Sequence, residues 1–184
     1  MKKQVRFIHG AGKGAFEVDA LLAESLQREL GTDYLVRYPQ MVNEDSPEYA
    51  DWEPQITSDI AALSGDVVLA GHSVGGSVLI KYVIDNRDRL SLAGLFMIAT
   101  PFWGADEFWK WDEVQLPEDA ERKLSGVPVF IYHNRHDEVV PFDHLELYAA
   151  KLPKAIIREV KQRGHQLDND LSVVASNIKQ LAMT

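Results

Sequence analysis

The stretch Gly71-His72-Ser73-Val74-Gly75 constrains this chain more than any other. It fits the pattern G-x-S-x-G. An apolar run, Val67-Val68-Leu69-Ala70, precedes it and reads as a buried strand. Val74 to Asn86 follows, with Val74, Val78, Leu79, Tyr82 and Val83 at helical spacing. Strand, sharp turn and helix are the context in which a serine can be held at the tip of a strained turn, its hydroxyl exposed above a sheet. The glycines have a physical reason as well. Strand and helix crowd together on either side of such a turn, and Gly71 and Gly75 carry no Cβ, so the backbones can approach. Three fixed positions alone match by chance in about one chain in twenty of this size. The flanking strand and helix give the match its content.

Taken in order, the chain alternates strands and helices. Val5 to Ile8 reads as a first strand, ending in the Gly-rich loop His9-Gly10-Ala11-Gly12-Lys13-Gly14. A helix is predicted over Phe16 to Leu30, with Val18, Leu21, Leu22, Leu26 and Leu30 on one stripe and Gly31 as its stop. Tyr34 to Tyr38 is a second strand closed by Pro39, and residues 40 to 51 read as polar and irregular. Pro54 suits the first turn of a helix running to Leu63. After the Ser73 turn and its helix, Leu92 to Ala99 is a fourth strand, apolar throughout, as a strand covered on both faces is. Residues 100 to 125 are the longest excursion. Val127 to Tyr132 is the fifth strand, Phe142 to Leu152 a helix, Ala155 to Val160 the sixth strand, and Leu167 to Leu181 a closing helix. Such alternation implies an α/β fold, a six-strand parallel sheet with helices on both faces. Ligands in such sheets bind at the carboxyl ends of strands. His9, Ser73, Thr100, the stretch His133 to Asp137, and His165 all fall just after strands.

The length of 184 residues suits one domain, residues 1–184, and its core needs no covalent staple. There is no cysteine, which excludes disulfides, thiolate metal sites and a cysteine nucleophile and fits a reducing, cytoplasmic location. The formal net charge of −9 argues against nucleic acid and anionic membranes as partners. Arg6 and His9 interrupt the N-terminal apolar stretch, so no signal peptide is expected, and no run is long enough to span a membrane.

A serine hydroxyl needs a base, and the base needs an orienting group. Of the six histidines, His72 neighbours Ser73 but points away across the turn and reads as packing. His9 comes too early in the chain, His133 and His136 flank a turn, and His144 lies on a helix. His165, in Arg163-Gly164-His165-Gln166 after the last strand, sits on the edge from which it can reach Ser73. The orienting carboxylate should follow the fifth strand, where His133-Asn134-Arg135-His136-Asp137-Glu138-Val139-Val140-Pro141 offers Asp137 and Glu138. Asp137 is favoured because Val139-Val140-Pro141 turns back into the fold behind it; Glu138 reads as solvated. The order Ser73, Asp137, His165 is that of the α/β hydrolases. The Gly-rich loop fails as a dinucleotide loop, its glycines being one residue short, and as a phosphate-binding loop, since Gly14 rather than Ser or Thr follows Lys13. It can instead offer a backbone N–H to an oxyanion: Ala11, with Gly12 as the alternate, acting with the Val74 N–H.

With these residues in view the chain resembles the small α/β-hydrolase-fold serine hydrolases of the retinoblastoma-binding-protein-nine-like family. The resemblance is carried by His9-Gly10-x-Gly12, Gly71-His72-Ser73-x-Gly75-Gly76, Thr100-Pro101-Phe102-Trp103, Asp137-x-x-Val140-Pro141 and Gly164-His165, and it spans almost the whole chain. It implies a minimal six-strand parallel core without the first antiparallel hairpin of larger relatives, and a Ser73-Asp137-His165 triad. Lys13 is a departure within the Gly-rich loop.

The excursion at 100–125 holds Phe102, Trp103, Phe108, Trp109 and Trp111. It reads equally as an aromatic lid over an acyl site, with Trp103 lining the substrate pocket, or as a plug over the sheet end. The expected function is hydrolysis of small carboxylic esters through an acyl-enzyme on Ser73, with no metal or organic cofactor. The rivals are a non-catalytic protein-interaction module on the same fold, which would bring a protein partner, and an acyltransferase or amidase using the same serine.

Overall fold

The computed structural model describes residues 2–63 and 65–181. Its elements are β1 (Lys3–Ile8), α1 (Ala15–Leu30), β2 (Tyr34–Arg37), α2 (Tyr49–Ala61), β3 (Val67–His72), α3 (Val74–Asn86), β4 (Leu92–Ile98), α4 (Ala120–Lys123), β5 (Val129–His133), α5 (Asp143–Lys151), β6 (Ile156–Glu159) and α6 (Ser172–Lys179). The six strands form one parallel sheet in the order β2-β1-β3-β4-β5-β6. This is the α/β-hydrolase fold. No helix among the described residues is long and apolar enough to cross a membrane.

Side chains alternate across a strand, so each strand feeds both faces of the sheet. Val5 and Phe7 of β1, Val68 and Ala70 of β3, and Phe96 and Ile98 of β4 pack with Leu22 and Leu26 of α1 and Val174 and Ile178 of α6. Val67 and Leu69 of β3 and Leu95 and Met97 of β4 pack on the opposite face, with Trp52 and Ile56 of α2, Val78 and Val83 of α3, and Tyr148 of α5. β1 connects to β2 on one side and pairs with β3 on the other. The order therefore reverses between β1 and β3, and a crevice at their carboxyl ends is where such sheets bind ligands.

Three expectations need correction. The buried face of α1 is turned toward Asp19, Leu22, Ala23, Ser25, Leu26 and Leu30, while Val18 and Leu21 are half-exposed. Helix α2 begins at Tyr49, so Pro54 lies inside it rather than in its first turn. Trp52 and Ile56, both fully buried, hold that helix to the sheet across the missing proline N–H. The closing helix is broken. Leu167, Asp168 and Asn169 all have left-handed backbone, forming one tight turn before α6 starts at Ser172. Asp168 closes that turn by accepting the Arg163 N–H at 2.9 Å and donating its own N–H to the Arg163 carbonyl at 3.0 Å.

Candidate active site

The turn between β3 and α3 is as crowded as the glycine pattern requires. A Cβ at Gly71 would lie 2.5 Å from the Gly76 nitrogen, and one at Gly75 would overlap the carbonyl oxygens of Ile8 and His9. Gly75→Ala is therefore expected to force α3 away from β1, costing about 3 kcal/mol and lowering Tm by roughly 10 °C. Calorimetry of the variant checks this; an unchanged Tm would mean that the turn has slack.

Ser73 sits at the tip with φ 51° and ψ −123°, a left-handed conformation unfavourable for a side chain with a Cβ. The Ser73 N–H donates to the Ile98 carbonyl at 2.8 Å, and its own carbonyl accepts the Gly76 N–H at 3.0 Å. The strained residue is thus held from both sides.

His165 follows β6 on the loop Arg163 to Gln166. Its Nδ1 lies 3.1 and 3.0 Å from the two oxygens of Asp137. Asp137 is fully enclosed, and its Oδ1 also accepts the N–H groups of Val139 and Val140, each at 2.9 Å. The turn back into the fold fixes the carboxylate as the sequence suggested. Burial alone would raise the Asp137 carboxyl. The hydrogen bond and charge of His165 and the two backbone N–H groups outweigh that and hold it below the usual carboxylate range. His133 stands 3.7 Å from the same carboxylate, but burial pushes its imidazole down, and its Nε2 donates to the Val140 carbonyl. It is a neutral strut.

The backbone around His165 is tied on every side. Its N–H donates to Glu138 Oε2 at 3.0 Å, so Glu138, though exposed, is not merely solvated. Asn134 Nδ2 donates to the Gly164 carbonyl at 2.9 Å. The His165 carbonyl accepts from His72 Nε2 at 3.0 Å, and the His72 and His165 rings are 4.6 Å apart. His72 adjoins Ser73, so the His165 loop lies against the Ser73 turn. Among the described residues no hydrogen bond joins Ser73 Oγ to His165; such bonds often tighten only when substrate binds.

The Gly-rich loop passes beside Ser73: a Cβ at Gly10 would be 3.2 Å from the Ser73 Cβ. The Gly12 N–H is already spent on the Glu44 carbonyl at 2.7 Å. The Ala11 N–H has no acceptor among the described residues, and the Val74 N–H opens α3, where the first helical N–H groups lack intrahelical partners. Two N–H groups are thus left over near the serine, and Ala11 is preferred to Gly12 on this ground. Lys13 is exposed.

His72 is where the sequence reading fell short. It is buried beside a second carboxylate, Asp19 of α1, with His72 Nδ1 2.8 Å from Asp19 Oδ2. Burial alone would raise the Asp19 carboxyl. The His72 charge, with hydrogen bonds from His72, Gly10 and Gln166, instead lowers it to about 2. Burial opposes charge on His72, and Asp19 more than offsets it, so the imidazole is pushed up. The only sequence signal for Asp19 is a carboxylate among the apolar positions of the first helix.

In the excursion, Trp103 packs edge-on against Trp109 and Trp111, with ring centroids 5.7 and 5.5 Å apart. Among the described residues the buried Trp103 Nε1 has no hydrogen-bond partner. Trp109 packs on His144, whose Nδ1 accepts the Phe102 N–H at 2.8 Å. Phe108 is 93% exposed and so plugs nothing. Among the described residues no group of three or more His, Cys, Asp or Glu side chains is placed to hold a metal ion.

A strained serine at the tip of its turn, buried to 8% exposure, an imidazole fixed at one nitrogen by a carboxylate, and two unspent N–H groups form a set suited to nucleophilic acyl transfer. A family model described as serine hydrolase matches residues 23–172. No curated protein sequence matches the chain. Among solved structures, the chain is similar to the ydeN gene product from B. subtilis, with a TM-score of 0.70 at 20% identity, covering 97% of each chain. It is similar to the esterase EaEST from Exiguobacterium antarcticum, with a TM-score of 0.70 at 18% identity, covering 97% of this chain and 92% of that one. It is also similar to Est1E from Butyrivibrio proteoclasticus bound to ferulic acid, with a TM-score of 0.68 at 19% identity, covering 97% and 87%. At these identities the likeness concerns the fold.

Proposed function

Since this chain belongs to the serine hydrolase family, we propose that it hydrolyses small carboxylic esters through an acyl-enzyme on Ser73. The observation that carries this reading is the strained Ser73 beside a His165 ring that Asp137 holds by its Nδ1. Asp137 fixes the proton on His165 Nδ1, leaving Nε2 free to accept. His165 Nε2 takes the Ser73 hydroxyl proton as Oγ attacks the acyl carbonyl. The Ala11 and Val74 N–H groups receive the oxyanion. His165 returns the proton to the leaving alcohol. Water then enters and gives a proton to His165 as its oxygen attacks the acyl carbonyl; His165 passes that proton to the departing Ser73 Oγ, which restores the serine and releases the acid. Every proton is accounted for by these three side chains and water. We place the chain with the small retinoblastoma-binding-protein-nine-like hydrolases on the motifs quoted above, acting in the cytoplasm on a small-molecule ester.

Intact-mass analysis after treatment with an organophosphonate tests the reading. One adduct per chain, located on Ser73, is expected. No adduct on the folded protein would overturn it and favour the non-catalytic interaction module.

The excursion bears on substrate size. Residues 100–125 contain one 3₁₀ turn at Asp112–Val114 and one short helix, α4. That is too little chain for a deep tunnel, and we propose that it forms a short aromatic lid with Trp103 at its base. A small pocket gains up to about 0.8 kcal/mol per buried CH₂ until it is full. The kcat/KM on activated esters is expected to peak at acyl chains of about two to six carbons, a range set by how few methylenes such a lid covers. Trp103→Ala, which removes the centre of the three-tryptophan cluster, should move the optimum to longer chains. An ester chain-length series on both proteins measures this, and a wild-type optimum at long-chain esters would sink the small-lid reading.

A further inference from the structure

The hydrolytic scheme leaves one buried polar cluster unused. Asp19 Oδ2 accepts the Gly10 N–H and faces His72 Nδ1, both at 2.8 Å, and Asp19 Oδ1 accepts from Gln166 Nε2 at 2.9 Å. His72 Nε2 faces the His165 carbonyl at 3.0 Å. Asp19 and His72 are almost wholly buried. A carbonyl oxygen cannot donate, so Nε2 carries a proton. The carboxylate, already an acceptor for Gly10 and Gln166, leaves the second proton to Nδ1. His72 is therefore an imidazolium locked between two acceptors. The depressed Asp19 carboxyl and elevated His72 imidazole agree with this.

A buried ion pair stabilises a fold no better than apolar side chains of the same volume. What it supplies here is direction. The Gly10 bond ends on the Gly-rich loop one residue before Ala11. His9 clamps the Gly10 peptide from its other side: His9 Nε2 accepts the Met41 N–H at 2.9 Å, so its Nδ1–H donates to the Gly10 carbonyl at 2.6 Å. The His165 and Gln166 bonds end on the base loop. His72 itself is the last residue of β3, set in the sheet opposite Ile98, one residue before Ser73. One helix residue thus reaches all three segments that the scheme requires.

We propose that Asp19 and His72 are positioning residues that set the oxyanion loop and the His165 loop relative to the Ser73 elbow. Neither touches substrate, and the proposal rests on the reading of Ser73, Asp137 and His165 as a hydrolytic triad. Asp19→Asn tests it with little change of shape. The amide oxygen keeps one acceptor, and Gln166 can turn its amide to face the new NH₂. Without the anion, His72 holds a single ring proton and loses either the residue 19 bond or the His165 carbonyl bond.

The experiment measures kcat, KM and Tm, with kcat normalised to the fraction of protein that takes up one phosphonate. For Asp19→Asn, kcat per labelled site should fall about 10- to 100-fold, the scale of a displaced catalytic group, with KM nearly unchanged. A merely structural role lowers Tm and the labelled fraction but leaves kcat per labelled site at the wild-type value; that result overturns the proposal. If Asp19→Asn does not fold, Gln166→Ala decides. It cuts only the tether from Asp19 to the His165 loop and should lower kcat about fivefold, the scale of one ordinary hydrogen bond; an unchanged kcat overturns the proposal. Wild-type protein that neither turns over esters nor takes the label overturns the triad reading and the proposal with it. An active wild type with unaffected variants overturns the positioning role alone.

Discussion

Ser73→Ala is expected to lower the turnover of activated esters about 10⁶-fold while leaving the protein folded. The two parts of that expectation come from different observations. Among the described residues no hydrogen bond is made by the Ser73 hydroxyl, and the residue is held by its backbone through Ile98 and Gly76. Alanine keeps that backbone and the Cβ that already tolerates the left-handed φ of 51°. Removing Oγ therefore takes away little that holds the turn. It takes away the atom on which the proposed acyl-enzyme forms. The residual rate should come from the oxyanion N–H groups and substrate binding alone. Members of a triad act as a unit, so adding His165→Ala to Ser73→Ala should cost almost nothing further. Steady-state kinetics with a thermal melt on the same samples checks both halves. Activity within about tenfold of wild type in a folded Ser73→Ala would mean that another nucleophile does the work.

Asp137→Asn is expected to lower kcat about 10⁴-fold, again without unfolding. The carboxylate accepts from Val139 and Val140 through Oδ1, and asparagine can keep both bonds with its amide oxygen. The amide NH₂ then faces His165 Nδ1, which must accept rather than donate. The ring proton moves to Nε2, the nitrogen that should take the serine proton. The loss is thus one of tautomer rather than of shape. Glu138→Gln is the control, because its amide oxygen can still accept the His165 N–H. It should change kcat no more than a few-fold, in line with a bond whose acceptor is only exchanged. A crippling Glu138→Gln beside a mild Asp137→Asn would show the acid to have been chosen wrongly.

The local parts of this structure were legible because their causes are local. Helix α3 runs from Val74 to Asn86 as its apolar spacing predicts, and the glycines around Ser73 sit where a Cβ would collide with backbone. That Asp137 rather than Glu138 faces His165 Nδ1 has a local cause, because Val139 and Val140, whose N–H groups hold it, lie two and three residues on. The failures have longer reach. A helical stripe counted by hydropathy takes in Val18 and Leu21 and passes over Asp19, which stands at helical spacing before Leu22 and Leu26. The structure reverses this because His72, 53 residues away, supplies the partner that makes a buried carboxylate affordable. Periodicity carries no trace of such a partner. His72 was misread for the same reason: from its neighbours alone, a buried charged ring cannot be told from packing. The break before α6 depends on Asp168 bonding backward to Arg163, a turn that apolar spacing cannot register.

The Asp19–Gln166 bond also has a bearing on how the protein is made. It joins residues 147 positions apart, between the first helix and the last loop. During synthesis the serine turn and its sheet neighbours β1 and β4 leave the ribosome long before His165 exists. A nascent chain can therefore hold a well-formed Ser73 turn while Asp19 lacks its Gln166 partner and His165 is absent. On the proposed reading, competence arrives in one step, when the loop carrying His165 docks onto a sheet already in place. Activity of the proposed kind would then report that docking, and it would stay silent in protein whose His165 loop had not yet reached the Ser73 turn.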